Sequence, residues 1–63
     1  MRFHRHDQVR LLTTYGDVGV GSTGRVLGRF ARPAGLSYYV SFDEHQTAME
    51  VAADALELHA RRP

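Results

Sequence analysis

The stretch LSYYVSF, residues 36–42, alternates apolar and aromatic side chains with more polar ones. One face takes Leu36, Tyr38, Val40 and Phe42. The other face takes Ser37, Tyr39 and Ser41. Side chains alternate with a period of two along a β-strand, and aromatic and β-branched residues favour strands. This stretch therefore predicts a strand with one buried face, and the rest of the chain is interpreted outward from it.

The segments on either side repeat this alternation. Residues 7–13 place Val9 and Leu11 on one face, and residues 22–31 place Val26 and Phe30 on one face. Residues 47–51 form another short alternating run. Two glycines inside the 22–31 segment predict a bulge or a sharp bend in that strand.

The segment AADALELH, residues 52–59, has high helix propensity but is too short for a stable α-helix. We therefore predict one turn of 3₁₀-helix at residues 52–55 and a final short strand with Leu56 and Leu58 facing inward. The predicted core comprises Val9, Leu11, Val20, Val26, Phe30, Tyr38, Val40, Phe42, Met49, Val51, Leu56 and Leu58.

Glycine marks the connections between these strands. Residues 15–21 contain three glycines and predict a long, structured loop, and residues 32–35 predict a turn around Pro33. Residues 60–63 are interpreted as a frayed tail. The chain, residues 1–63, is thus predicted to be one domain with an ordered core of about residues 7–59.

The chain is short for an independent domain. It has 63 residues and no cysteine, so disulfides and thiolate metal sites cannot reinforce it. Closure of the sheet or self-association must then supply additional stability. No apolar run approaches the roughly 18 residues that span a bilayer, and the first residues lack the apolar segment of a secretory signal. We therefore expect a cytoplasmic location.

The charges are few and unevenly distributed. The formal net charge is +1, which is small for a nucleic-acid-binding domain. Six of the eight arginines precede Pro33, whereas five of the seven acidic residues lie between Asp43 and Glu57. This polarity favours head-to-tail or self-complementary contacts, unless the fold interleaves the two halves.

The order of elements resembles that of SH3-like barrels, over residues 7–59. The patterns Asp7-x-Val9, Gly21-x-x-Gly24-x-Val26 and Tyr39-x-Ser-Phe42 are similar to small bacterial SH3-like and KOW-like domains. The resemblance implies an all-β, five-stranded barrel with a 3₁₀ turn before the last strand. It also implies binding of proteins, RNA or ribosomal components.

A more distant resemblance is to the plasmid-borne type II dihydrofolate reductases, which are SH3-like barrels assembled as tetramers around a pore. Residues 7–10, 24–28 and 55–57 carry this resemblance. That family lines its pore with a Val-Gln-Ile-Tyr segment, where this chain has AMEV at residues 48–51. No active-site residue can be carried over, and no cofactor is predicted.

Outward apolar residues are the first candidates for a functional surface. Leu12, Leu27 and Tyr39 are expected on the outside of adjacent strands, and Tyr15 and Asp17 lie in the glycine-rich loop. Apolar residues clustered on the surface of a small domain form patches that partners cover. We therefore predict a non-catalytic module that uses the 14–21 loop and this apolar face to bind a protein partner or its own copies.

The alternative is nucleic-acid binding by Arg25, Arg29 and Arg32, which the alternation places along the second strand and its turn. Guanidinium groups bind phosphates, and Tyr39 would offer a stacking face. Equally, Arg29 and Arg25 would pair across strands with Glu50 and Glu44.

The sequence contains no constellation typical of catalysis or metal binding. His4 and His6 lack further ligands at a useful spacing, so we interpret them as surface residues and predict no metal site. A GxGxxG match at residues 19–24 precedes a strand, whereas the nucleotide-binding fingerprint opens a helix. A tetrameric reductase remains the third and least supported hypothesis.

Overall fold

The computed structural model describes residues 3–44 and 47–60. The strands are β1 (Gln8–Leu11), β2 (Thr23–Arg32), β3 (Gly35–Phe42), β4 (Ala48–Ala52) and β5 (Leu56–Ala60). One turn of 3₁₀-helix, Ala53–Ala55, joins β4 to β5. The structure confirms the predicted all-β class and the 3₁₀ turn before the last strand. Of the predicted tail, residues 61–63 lie outside the described residues.

The five strands form one antiparallel sheet in the order β4-β3-β2-β1-β5. The long strand β2 pairs with β1 through its first residues and with β3 over most of its length. The sheet is open, with β4 and β5 as its edges, so closure into a barrel stays a prediction.

Most of the predicted core residues are buried. Eight of them are at most 3% exposed: Val9, Leu11, Val26, Tyr38, Val40, Phe42, Val51 and Leu56. Met49 is partly buried and packs against this cluster. The alternation that was visible in the sequence of β1, β3 and β4 therefore identifies the inner face of the sheet.

Two predicted core residues outside β2 are exposed. Val20 is 65% exposed, and Val18 is buried in its place at 2%. A turn closed by backbone bonds between Tyr15 and Val18, both 2.9 Å, points Val18 inward. Leu58 is 43% exposed, because it lies on the edge strand β5, where only β1 is a neighbour.

A bulge in β2 explains the third exposed residue, Phe30. The register passes from Val26 opposite Val40 to Gly28 opposite Tyr39, so Leu27 is an extra residue in the strand. An extra residue moves every later side chain to the opposite face. Phe30, predicted to face inward, is accordingly 38% exposed on the outer face, the side of the sheet away from the core.

An N-terminal arm, residues 3–6, adds a core residue that sequence reasoning missed. Phe3 is 5% exposed, and its ring meets that of Tyr38 edge-on at 5.1 Å between centroids. Its amide donates a hydrogen bond to the Tyr38 hydroxyl at 3.4 Å. His6 adopts a left-handed conformation (φ 74°) and its amide donates to the Val26 carbonyl at 2.8 Å. The arm thus lies against β2 and β3.

Candidate interaction surface

The three arginines of the predicted row do not share one face. Arg25 precedes the bulge and keeps its outer orientation. Arg29 follows the bulge and lies opposite Tyr38, whose side chain points into the core. Arg32 is again on the outer face. The bulge therefore divides the row that the sequence suggested, and no continuous line of guanidinium groups results.

The outer face of β2, β3 and β4 carries a cluster that we call the Tyr39 face: Phe30, Arg32, Ser37, Tyr39 and Glu50. The rings of Phe30 and Tyr39 meet edge-on, with centroids 6.3 Å apart. The Arg32 guanidinium carbon lies 4.8 Å from the centre of the Phe30 ring, a cation–π geometry. Both aromatic side chains remain more than one third exposed.

Glu50 is held by two partners on the Tyr39 face. Arg32 Nε donates to Glu50 Oε2 and Arg32 Nη2 to Oε1, each at 2.8 Å, and the Ser37 hydroxyl also donates to Oε2. The hydrogen bonds from Arg32 and then from Ser37 lower the pKa of Glu50 to about 2. The pKa of Arg32 is raised, chiefly by its hydrogen bond to Glu50. Glu50 thus pairs with Arg32 rather than with Arg29, because the bulge turns Arg29 away from this face.

Acid should weaken the fold through Glu50. A carboxyl whose pKa is lower in the folded chain stabilises it above the unfolded value of 4.5, and this stabilisation is lost as pH falls through about 2. We expect Glu50→Gln and Arg32→Gln each to flatten the fall in melting temperature over this range. Thermal melts followed by circular dichroism at a series of pH values measure the effect. Asp17→Asn, at an exposed loop carboxylate, controls for loss of one charge. If melting temperature fell with pH equally in the wild type and in Glu50→Gln, the expectation would be wrong.

The structure does not bring the predicted apolar surface residues Leu12, Leu27 and Tyr39 together on one face. Arg10 on β1 lies opposite Thr23 on the antiparallel strand β2. Measured along the strands from this pair, Leu12 lies two residues away in one direction and Leu27 lies four residues away in the other. At about 3.3 Å per residue, roughly 20 Å separates them along the strands. Leu27 lies at the bulge and lines a depression together with Phe3 and Arg29, whereas Tyr39 is on the outer face. Leu12, 47% exposed, lies just beyond the end of β1.

The predicted loop lies beside β4. Tyr15 is half-buried, and its hydroxyl accepts a hydrogen bond from the Ala52 amide at 3.4 Å. Asp17 is exposed at the tip of the turn between Tyr15 and Val18. Of the predicted partner-binding residues, Tyr15 therefore lies at the free side of β4, and Tyr39 lies opposite Glu50 on its paired side.

The free edge of β4 presents backbone groups to the outside. Thr47 O accepts from the Phe42 amide at 3.3 Å, so residues 47, 49 and 51 direct their backbone groups towards β3. Residues 48, 50 and 52 direct theirs away from the sheet, as the contact between Ala52 N and the Tyr15 hydroxyl shows. Among the residues that the structure describes, no other hydrogen bond covers the outward groups of residues 48, 50 and 52, so this edge offers donors and acceptors for pairing.

A shallow groove of about 340 Å³ lies at the end of this edge. Apolar side chains of Ala34, Leu36 and Ala52 line it, together with the Arg32–Glu50 pair. Leu36, predicted to face inward, is 37% exposed because it lies near the start of β3, beyond the buried cluster. The groove places an apolar surface directly beside the open edge.

Sequence reasoning missed the Tyr39 face as a cluster, because it placed Phe30 in the core and Glu50 beside Arg29. The signal was present in Gly24 and Gly28, which together predicted a bulge or sharp bend in this strand. A bulge inverts the side chains that follow it, and this places Phe30 and Arg32 on the outer face.

Within residues 3–44 and 47–60, no group of three or more His, Cys, Asp or Glu residues could hold a metal ion. The same residues contain no helix with the length and hydropathy needed to cross a bilayer. Comparison of the chain with protein-family models, curated proteins and solved structures found no match.

Proposed function

We propose that this chain is a non-catalytic, SH3-like interaction module that pairs along the free edge of β4 with an extended protein strand. In solution this strand is β4 of a second copy. The observation that carries the proposal is the open edge itself, flanked by Tyr15 on the loop and by the Tyr39 face.

The sequence of β4 supports the proposal because it lacks several of the features that protect edge strands. Natural edges are guarded by lysine, proline, bulges or inward-pointing charges. β4 reads AMEVA and pairs with β3 without a break in register. Its one charged side chain, Glu50, already pairs with Arg32. A second β4 therefore meets an edge without an uncompensated charge.

The size of the molecule supports self-association. A chain of 63 residues without cysteine buries a small core, and its sheet leaves both edges open. Pairing two copies through β4 continues the sheet and covers the apolar groove beside Leu36. The additional burial is the reinforcement that a chain of this size requires.

Ala48→Pro tests the proposal because it removes an amide that faces away from β3. Proline is tolerated at the first residue of an edge strand, so the monomer should still fold. We expect the wild type to be a dimer by multi-angle light scattering and Ala48→Pro to be a monomer with a cooperative melt. Leu58→Pro is the matched control: its amide faces away from β1 on the other edge, and this variant should remain dimeric.

A wild type that stays monomeric at every concentration, or a dimer lost with Leu58→Pro but kept with Ala48→Pro, contradicts pairing through β4. A monomer that binds strand-forming peptides only when Ala48 is intact identifies a foreign protein as the occupant instead of a second copy.

The other two hypotheses have their own tests. Titration with single-stranded RNA and duplex DNA at low and moderate salt tests nucleic-acid binding, which weakens steeply with salt. The divided arginine row gives that hypothesis less geometric support than edge pairing has. A spectrophotometric assay for NADPH-dependent reduction of dihydrofolate tests the reductase hypothesis.

A further inference from the structure

The bulge at Leu27 brings basic side chains together on the other side of the sheet. Arg29, turned away from the outer face, lies opposite Tyr38, against which the ring of Phe3 packs. His4 and Arg5 follow Phe3 along the arm. A depression of about 400 Å³ opens between the arm and β2, and these three basic residues line it.

Apolar groups form the rest of the wall. Leu27 is half-buried and offers the accessible apolar surface, while the buried side chains of Val26, Phe3 and Tyr38 lie behind it. Small-molecule sites are concave, largely apolar and carry a few convergent polar groups, at volumes of a few hundred Å³. Arginine, with several donors in a planar fork, fits phosphate oxygens better than any other side chain.

The local backbone is shaped to form this depression. His6 holds a left-handed conformation that is uncommon for a residue other than glycine, and its amide is tied to the Val26 carbonyl. Bulges and strained residues are enriched at binding sites, where they direct side chains to a ligand. Here the bulge places Arg29 on the side of the sheet where the arm lies, and the bond from His6 to Val26 holds the end of the arm against β2.

We propose that this depression, the arm site, binds a small organic phosphate. Arg29 and Arg5 hold the phosphate oxygens, and the apolar body of the ligand packs against Leu27. A guanidinium has enough donors for Arg29 to keep its existing interaction within the protein and still bind the phosphate. Asp7, the carboxylate that follows the arm in sequence, is 2% exposed and accepts a hydrogen bond from the His4 amide at 2.9 Å, so it is directed into the protein. The arm site is separate from the β4 edge, and neither proposal depends on the other.

The test is an NMR titration of the full chain with inorganic phosphate and with phenyl phosphate, at constant ionic strength set by sodium chloride. We expect saturable shifts at the amides of residues 3–6 and 26–29, and tighter binding of phenyl phosphate because its ring contacts Leu27. Arg29→Gln should weaken binding by about tenfold, and Arg29→Lys should lose less because it keeps the charge.

Arg25→Gln is the matched control, because Arg25 is exposed on the same strand but faces the other side of the sheet. It should change binding by less than about twofold. The proposal is overturned if Arg25→Gln weakens binding as much as Arg29→Gln, if the shifts do not saturate, or if inorganic phosphate binds as tightly as phenyl phosphate. Melting temperatures of the variants establish that each is folded.

Discussion

Val40→Asp should leave the chain unfolded. Val40 is fully buried, between Val26 on β2 and Met49 on β4. An aspartate there has no cationic partner, and burying an unpaired charge costs several kcal/mol. A core of this size supplies only about 3–5 kcal/mol of net stability, so the substitution removes most or all of it.

Circular dichroism and thermal melting measure this effect. The matched control is Val20→Asp, because Val20 is 65% exposed and its replacement leaves the charge in water. The control should melt within a few degrees of the wild type. A cooperative melt of Val40→Asp near the wild-type temperature would show that the inner face has been assigned wrongly.

Gly24→Ala should destabilise the fold by about 2–3 kcal/mol. Gly24 lies opposite Phe42, where the paired strands β2 and β3 leave no room for a side chain. An added Cβ would lie 2.6 Å from Ser41 O and 2.8 Å from Val40 Cγ1. The nearest obstacle is backbone, which a rotamer change cannot move. Relief therefore requires the two strands to separate at the centre of the sheet.

Gly28→Ala is the control for this prediction. A Cβ at Gly28 meets no atom within 4 Å, and the backbone there does not require glycine. Because glycine weakens a strand interior, this variant should be neutral or slightly more stable than the wild type. Urea denaturation of the two variants separates the close approach at Gly24 from any general effect of replacing glycine in β2. Equal urea midpoints for Gly24→Ala and Gly28→Ala would contradict the prediction.

The sequence predicts the strands well where a single alternation runs without interruption. Tyr38, Val40 and Phe42 are buried as the pattern of residues 36–42 requires, and the 3₁₀ turn precedes the last strand. In these segments the alternation with a period of two identifies the strand, and one buried face is enough to fix its register.

The prediction fails where one extra residue or one turn changes the direction of side chains. Phe30 is displaced to the outer face by the bulge, whose position within the 22–31 segment the glycines did not specify. Val18 replaces Val20 in the core because the turn from Tyr15 determines which valine points inward. Phe3 could not be predicted, since the arm has no alternation and its burial depends on a long-range contact with Tyr38.

The pairing of Glu50 shows the same limit for the candidate surface. Residue types alone predicted cross-strand ion pairs, and the described residues contain such pairs, Arg32 with Glu50 and Arg10 with Glu57. Which arginine takes part depends on register, and register after Leu27 differs from the register before it. Composition therefore indicates the kind of interaction, whereas the bulge determines its partners.

Leu27, the extra residue at the bulge in β2, also affects how such a small molecule can evolve. A small five-stranded sheet offers few independent positions, because a change on one side of a strand usually disturbs its packing on the other. Here the same ribbon exposes Phe30 on one side and Arg29 on the other, with the reversal confined to one amino acid. Gain, loss or movement of this one residue would therefore exchange the side chains on the two sides of the sheet in a single step.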